Sequence, residues 1–445
     1  MEPFERVVIV GEGPVDEHAG PALRDHVGWQ LHRQAQSSDG AWLDSRHQSQ
    51  AANAFLRVLD QALHGRLTRP VTDDAGWAAF VAASRATADE VLAVLDGRRT
   101  LVYLRGPAML LVPAALREQR PDLSITLRLP TPWPAPELFA RLPWRAQLLE
   151  GAAGADVLSV SSERDRKNLT RSFGRYLDGV GVAVRKGTLL LADGRRTRTI
   201  SNPPGVALDD IAAISGAPAV DEEARLWRAR LGGRSLVLTV GRLRGSSGLL
   251  EQLTAVERLL ESKPELGEQL AFVVVAVEPP GGSSDARREI ESAIGRINGR
   301  FTPPGGEVPV HYLHGGVPPH VLAALYRTAE VLVVTPLVAA ASLAVKEYVI
   351  VQHDSGGAGR VLLSETSGTA AELEQVRTCN PFDLDDIAEG ITGSWRWDPV
   401  EAKRGLAAMA ARIRRHDVQA WWRRELAFAA DPRLDLPDEG PEPGS

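Results

Sequence analysis

The chain has 445 residues, 44% of them hydrophobic and 24% charged, which fits a soluble globular protein and is too apolar for a mainly disordered one. Its formal net charge of −6, with nearly all the positive charge on arginine, argues against a nucleic-acid binder, which needs a basic field. The single cysteine, Cys379, excludes an intramolecular disulfide and a cysteine-based zinc cluster, and no apolar run reaches the ~18–20 residues of a membrane span.

Met1–Arg6 is acidic and leads directly into a strand-like run. A signal segment would have a basic start and a longer apolar stretch, so a cytoplasmic location is expected. Short aliphatic runs then recur at Val7–Val10, Leu101–Leu104, Ser124–Leu129 and Val157–Val160, separated by stretches of helical spacing. Ser201-Asn202-Pro203-Pro204-Gly205 interrupts the series and reads as a hinge or linker. The runs resume at Leu236–Val240, Phe272–Val277, Val308–Tyr312, Val331–Val334 and Val361–Leu363. Nearly continuous apolar strands suit a sheet buried on both faces. Their alternation with helices gives βα units and parallel sheets.

The expected fold class is therefore α/β, with two Rossmann-like doubly wound parallel-sheet domains at 1–205 and 206–400 facing a central cleft. That cleft is the expected ligand site. From Pro399 to about Ala430 the chain reads as one helical stretch, its apolar face formed by Leu406, Met409, Ile413 and Trp421. Residues 401–431 are expected to pack across the junction as a C-terminal helix, and 432–445, rich in Pro, Gly and acid, to be disordered.

Two segments have the form of an anion site. Arg242 ends a strand beside Leu243-Arg244-Gly245-Ser246-Ser247-Gly248, and an arginine there suits a diphosphate or, equally, a surface ion pair. Ala339-Ala340-Ala341-Ser342-Leu343 follows a strand and opens a helix, so backbone N–H groups near Ser342 and Leu343 are candidates for phosphate oxygens. Glu347, one turn into that helix, suits a ribose diol or simply the helix dipole. Other signals are bland. Gly11-Glu12-Gly13-Pro14 lacks the third glycine of a dinucleotide fingerprint, and Ser355–Gly359 reads as a flexible loop. His311 and His314 lack a third ligand nearby, so no metal is expected.

The stretch Val333–Gly390 resembles the donor half of the trehalose-6-phosphate synthase family. The resemblance rests on Thr335-Pro336-Leu337, Lys346-Glu347-Tyr348-Val349, Leu363-Ser364-Glu365, Gly368-Thr369-Ala370 and Asn380-Pro381-Phe382-Asp383. Gly295–Phe301, Tyr312-Leu313-His314 and Ala323–Arg327 extend it upstream, and Leu111-Val112-Pro113, Arg120-Pro121-Asp122 and Leu142-Pro143-Trp144-Arg145 carry it into the first half. It implies a GT-B fold and retaining transfer of glucose from a nucleotide sugar to glucose 6-phosphate, with no metal needed for the chemistry and no cofactor. It also implies that Arg242, Ser342, Leu343 and Glu347 bind the donor.

The same resemblance shows where this chain departs from the family. Gly13 stands at the family's phosphate-binding Arg, and Ala19-Gly20-Pro21 at its Gly-Gly-Leu loop. Arg105-Gly106-Pro107-Ala108 replaces His-Asp-Tyr-Gln, and Pro130 replaces a sugar-contacting His. Ser247 stands at the diphosphate-binding Lys, and Ala339 at the Asp that grips the transferred sugar; Arg244 is a candidate compensating cation. If Arg242 and Arg244 extend one strand, they point to the same face. Arg105 and Arg128 are candidates for a new anion site in the first domain.

The expected function is thus that of a family homologue without the standard activity. It would retain nucleotide or sugar-phosphate binding, or serve as a regulatory partner of an intact synthase or other protein. The alternative is an active retaining transferase with a changed acceptor, or trehalose-6-phosphate synthesis itself. Neither nucleic acid nor membrane is expected as a partner.

Overall fold

The computed structural model describes residues 4–11, 41–44, 50–66, 73–177, 182–185, 187–277 and 284–432. The chain divides into two compact units. Of the described residues, the first unit takes those up to Pro204 and those from Gln419 onward, and the second takes Gly205–Val418.

The first unit is built on an eight-stranded sheet: β1 (Arg6–Gly11), β2 (Ala41–Asp44), β3 (Thr100–Arg105), β4 (Ser124–Leu129), β5 (Val157–Val160), β6 (Val182–Arg185), β7 (Thr188–Leu191) and β8 (Arg196–Ser201). The order is β2-β1-β3-β4-β5-β8-β7-β6. Pairing is parallel from β2 to β8, and β8–β7 and β7–β6 add an antiparallel edge. Asp193-Gly194 makes the β7–β8 turn, with Gly194 at φ +83° and the Leu191 N–H donated to the Arg195 carbonyl at 3.0 Å. Asp-Gly is a strong hairpin signal.

Among the described residues the second unit carries six strands, β9 (Ser235–Arg242), β10 (Leu270–Val277), β11 (Val310–His314), β12 (Val331–Val334), β13 (Arg360–Ser364) and β14 (Arg377–Cys379), all parallel in the order β11-β10-β9-β12-β13-β14. The strand β11 begins at Val310 rather than at Val308. Pro309 has no N–H to give to a ladder, and only its carbonyl is used, accepting the Phe272 N–H at 2.9 Å.

Strand alternation explains the apolar runs here. Leu236, Leu238, Val240, Ala271, Val273 and Val275 enter one core cluster with residues of the helices Pro319–Thr328, Leu343–Asp354 and Pro399–Arg415. Val237, Phe272, Val274 and Ala276 enter another with the helices Leu249–Ser262, Ser284–Phe301 and Leu384–Trp395. Both faces of each strand are therefore covered, and a polar residue has no solvent face to occupy.

The helical stretch expected from Pro399 to Ala430 is two helices, Pro399–Arg415 and Val418–Ala430, and the division between the units falls at the start of the second. His416 leaves helical geometry at φ −120° and ψ 46°. The backbone of Asp417 lies so close to Gly205 that a Cβ there would stand 2.2 Å from the Asp417 carbonyl carbon, and Val418 donates to the Val206 carbonyl at 3.1 Å. Val206 and Ala207, just after the Pro-Pro-Gly break, are buried.

Candidate functional site

In the second unit the strand order reverses between β9 and β12, and an open α/β sheet offers its ligand crevice at the carboxyl ends of such strands. Arg242 ends β9 with an exposed side chain. The strand stops there. Leu243 donates its N–H to the Val277 carbonyl at 2.7 Å, and Arg244 folds back to donate to the Arg242 carbonyl at 2.8 Å. Period-two alternation therefore does not carry through to Arg244, and the condition that would have set both guanidinium groups on one face is not met.

Ser247 closes the turn. Its N–H and its hydroxyl both donate to the Arg244 carbonyl, at 3.0 and 2.6 Å. Gly248 follows at φ +69°, and a Cβ on it would lie 1.7 Å from the Thr335 carbonyl oxygen, so only glycine fits. Leu337 donates to the Ser246 carbonyl at 3.0 Å. The loop after β9 is thus held backbone-to-backbone against the loop after β12.

The loop after β12 uses its polar groups internally. Ala339 forms a parallel bridge with Ser367, its carbonyl accepting the Gly368 N–H at 3.0 Å. Ser342 donates its N–H to Thr369 Oγ1 at 2.8 Å, and its hydroxyl shares a hydrogen bond of 3.0 Å with that of Ser367. The Ser342 N–H, a candidate for phosphate oxygens in the sequence, is thus engaged by Thr369 in this structure. Leu343, the first residue of the helix, is half-buried.

Glu347 is 1% exposed, and Tyr326 donates its hydroxyl to Glu347 Oε2 at 2.9 Å. Burial, and then the neighbouring carboxylate, push the Tyr326 hydroxyl well above its usual pKa, so it remains a donor. Lys346, adjacent in sequence, pairs with Glu372 at 2.5 Å in a buried contact. Its ammonium group is thereby committed to Glu372.

In the first unit, β3 delivers Arg105 to its carboxyl end. Gly106 follows at φ +101° and donates to the Arg128 carbonyl at 2.9 Å, and Pro107–Met109 forms a single 3₁₀ turn. Pro130, directly after β4, is half-buried, and Trp133 further along is locked by hydrogen bonds to Asp165 and Ser172 at 3.1 Å each. Arg128 is not an anion site. It is 1% exposed, donates to Ser159 Oγ, the Val160 and Asn202 carbonyls and Ser161 Oγ at 2.8–2.9 Å, and lies 3.6 Å from Glu425. Gly13 and Ala19-Gly20-Pro21 lie outside the described residues.

Among the described residues no cluster of His, Cys, Asp and Glu is arranged to hold a metal, and no helix is long and apolar enough to cross a membrane. Burial raises the Cys379 thiol to about 12, which keeps it protonated and unreactive. Sequence reasoning missed the contacts of Tyr326, Thr369 and Ser367: the first two lie in motifs that carry the resemblance, but what each side chain touches is set only by folding.

A profile described as glycosyltransferase family 20 matches residues 15–429. The trehalose-6-phosphate synthase of Mycobacterium sp. (strain KMS) is 34% identical over 382 residues, covering 83% of this chain and 77% of that protein. Among solved structures, the α,α-trehalose 6-phosphate synthase of Burkholderia multivorans is 26% identical with a TM-score of 0.85, covering 95% of this chain and 97% of its own. The UDP-forming α,α-trehalose-phosphate synthase of Burkholderia xenovorans, described in complex with glucose-6-phosphate, is 25% identical with a TM-score of 0.83, covering 95% and 100%. Together with the two mostly parallel sheets, these likenesses show an α/β fold of the GT-B type.

Proposed function

Because the chain belongs to glycosyltransferase family 20, we propose that it is a member whose donor pocket binds a nucleoside diphosphate but does not transfer glucose to glucose 6-phosphate. The observation that carries this reading is Ala339. At the position where the resemblance places the sugar-gripping Asp, the side chain is a methyl group and the carbonyl is engaged by Gly368. A sugar entering there would give up hydrogen bonds to water without replacing them.

The diphosphate side is depleted as well. Charge builds on the leaving diphosphate as the glycosidic bond breaks, and preorganised cations are the main help at that moment. Arg242 supplies one, whereas Ser247 supplies none and turns its hydroxyl into the local turn. Losing one such partner costs ~10²–10³ in rate by analogy with oxyanion-hole deletions. In this reading Arg242 and the helix start at Leu343 hold the diphosphate, and Glu347, oriented by the Tyr326 hydrogen bond to its Oε2, accepts from the ribose.

One observation favours the alternative of an active transferase. Arg244 follows Arg242 by two residues, its N–H donated to the Arg242 carbonyl at 2.8 Å, and in that alternative its guanidinium would act as the second cation. Incubation with UDP-, GDP- and ADP-glucose, with and without glucose 6-phosphate, separates the readings. We expect nucleoside diphosphate release no faster than from Arg242→Ala. Release well above that background, lost in Arg244→Ala, would establish the transferase.

A further inference from the structure

We propose that the second unit carries another small-molecule site, at the amino ends of β12 and β13, which takes a ring compound bearing a phosphate or a carboxylate. A cavity of about 600 Å³ lies there, within the roughly 300–1,000 Å³ typical of ligand pockets. It is formed by residues that enter β12 and β13 and by the end of the helix Leu384–Trp395. Arg242 and Ala339 lie at or beyond the opposite, carboxyl ends of the strands. The cavity is therefore separate from the donor site, and the inference does not depend on the function proposed above.

Its floor is fixed by Gln352. The carboxamide donates to the carbonyls of Tyr326 and Ala329 at 2.6 and 2.8 Å and accepts the Gly359 N–H at 3.1 Å. Gly359 has no room for a side chain, since a Cβ would stand 2.2 Å from the Tyr348 hydroxyl. The Gly-rich loop that reads as flexible in the sequence is thus bonded to this floor.

Two buried polar atoms of the lining lack a partner. Arg360 is 8% exposed, and its Nη2 donates to the Trp397 carbonyl at 2.6 Å, but its Nε has no acceptor. Oγ1 of Thr328 is likewise unsatisfied. Buried polar atoms are rarely left unpaired, and an N–H of a cation calls for an oxygen that carries negative charge. Arg396 stands exposed at the rim, and Arg327 also lines the cavity but is matched by Asp221 at 2.7 Å, so Arg360 and Arg396 face the single remaining carboxylate, Glu330. Trp395 and Trp397 supply indole surface, which suits the flat face of a ring.

The test is calorimetric titration of the full chain with phenyl phosphate, benzoate, inorganic phosphate and phenol. The expected result is binding of at least one ring anion at millimolar concentration or below, more tightly than inorganic phosphate or phenol. The tighter of the two ring anions identifies the headgroup. Arg396→Ala and Arg360→Gln should each weaken that binding by roughly tenfold or more, and Arg242→Ala should leave it unchanged. Arg396 is exposed, so its variant decides the matter even if Arg360→Gln fails to fold. The proposal is overturned if neither ring anion binds at millimolar concentration, if inorganic phosphate or phenol binds as tightly, if binding survives Arg396→Ala, or if Arg242→Ala abolishes it.

Discussion

Arg128 and Glu425 show what a single side chain can hide. In β4, Thr126 and Arg128 are the polar residues of an otherwise aliphatic run, alternating with Ile125 and Leu127. Both faces are in fact buried, because the helix Val418–Ala430 lies over the polar one and meets Arg128 with Glu425 and Trp421. Glu425 Oε1 also accepts from Ser159 at 2.6 Å and Asn202 at 2.8 Å, and its Oε2 accepts from the Tyr103 hydroxyl at 3.3 Å, so both oxygens have partners. Removing one partner of a buried pair leaves a charge stranded in low dielectric. Arg128→Met should therefore cost ~3–5 kcal/mol in urea unfolding. The double variant Arg128→Met/Glu425→Leu should recover part of the loss, since an apolar replacement carries no desolvation penalty. A loss in the single variant below ~1 kcal/mol, the level of an exposed pair, would contradict the clamp.

At the scale of elements, the central strands were legible because burial on both faces leaves a plain apolar run, and β4, β5 and β12 fall where the sequence places them. The strands β6, β7 and β8 were not recognised. β8 reads Arg-Thr-Arg-Thr-Ile-Ser, alternating rather than apolar, and belongs to an antiparallel edge that a search for buried runs passes over. The loops at the candidate site follow a different logic. Gly248 lets the β9 loop touch the backbone of Thr335, and this contact sets the distance between Arg242 and the helix start at Leu343. Gly248→Ala should destabilise the protein by at least ~2 kcal/mol, combining left-handed strain with a backbone clash. Thermal shift by nucleoside diphosphates should shrink with it. A variant of unchanged stability would mean that the two loops are not held together as described.

For the whole molecule, the family and the two-sheet plan were readable because the motifs keep their order along nearly the full chain, and the profile match over residues 15–429 agrees. The state of the donor site was only partly readable. The departures at Ser247 and Ala339 are visible in the sequence, and the Ser247 hydroxyl is taken by a local turn only three residues long, but the contacts of Ala339 and Ser342 with Ser367, Gly368 and Thr369 join segments 25 or more residues apart. Such contacts leave no local trace.

The central claim is that this pocket has kept a grip on the diphosphate and lost its grip on the sugar. The most direct measurement compares the dissociation constants of UDP and UDP-glucose, or of the ADP or GDP pair if that base is preferred, by calorimetry on the same preparation. The account predicts affinities equal within about twofold, because no side chain at Ala339 rewards the glucose, and a preference for the sugar nucleotide on restoring the carboxylate in Ala339→Asp. A wild-type protein that binds the sugar nucleotide roughly tenfold or more tightly than the diphosphate would contradict it.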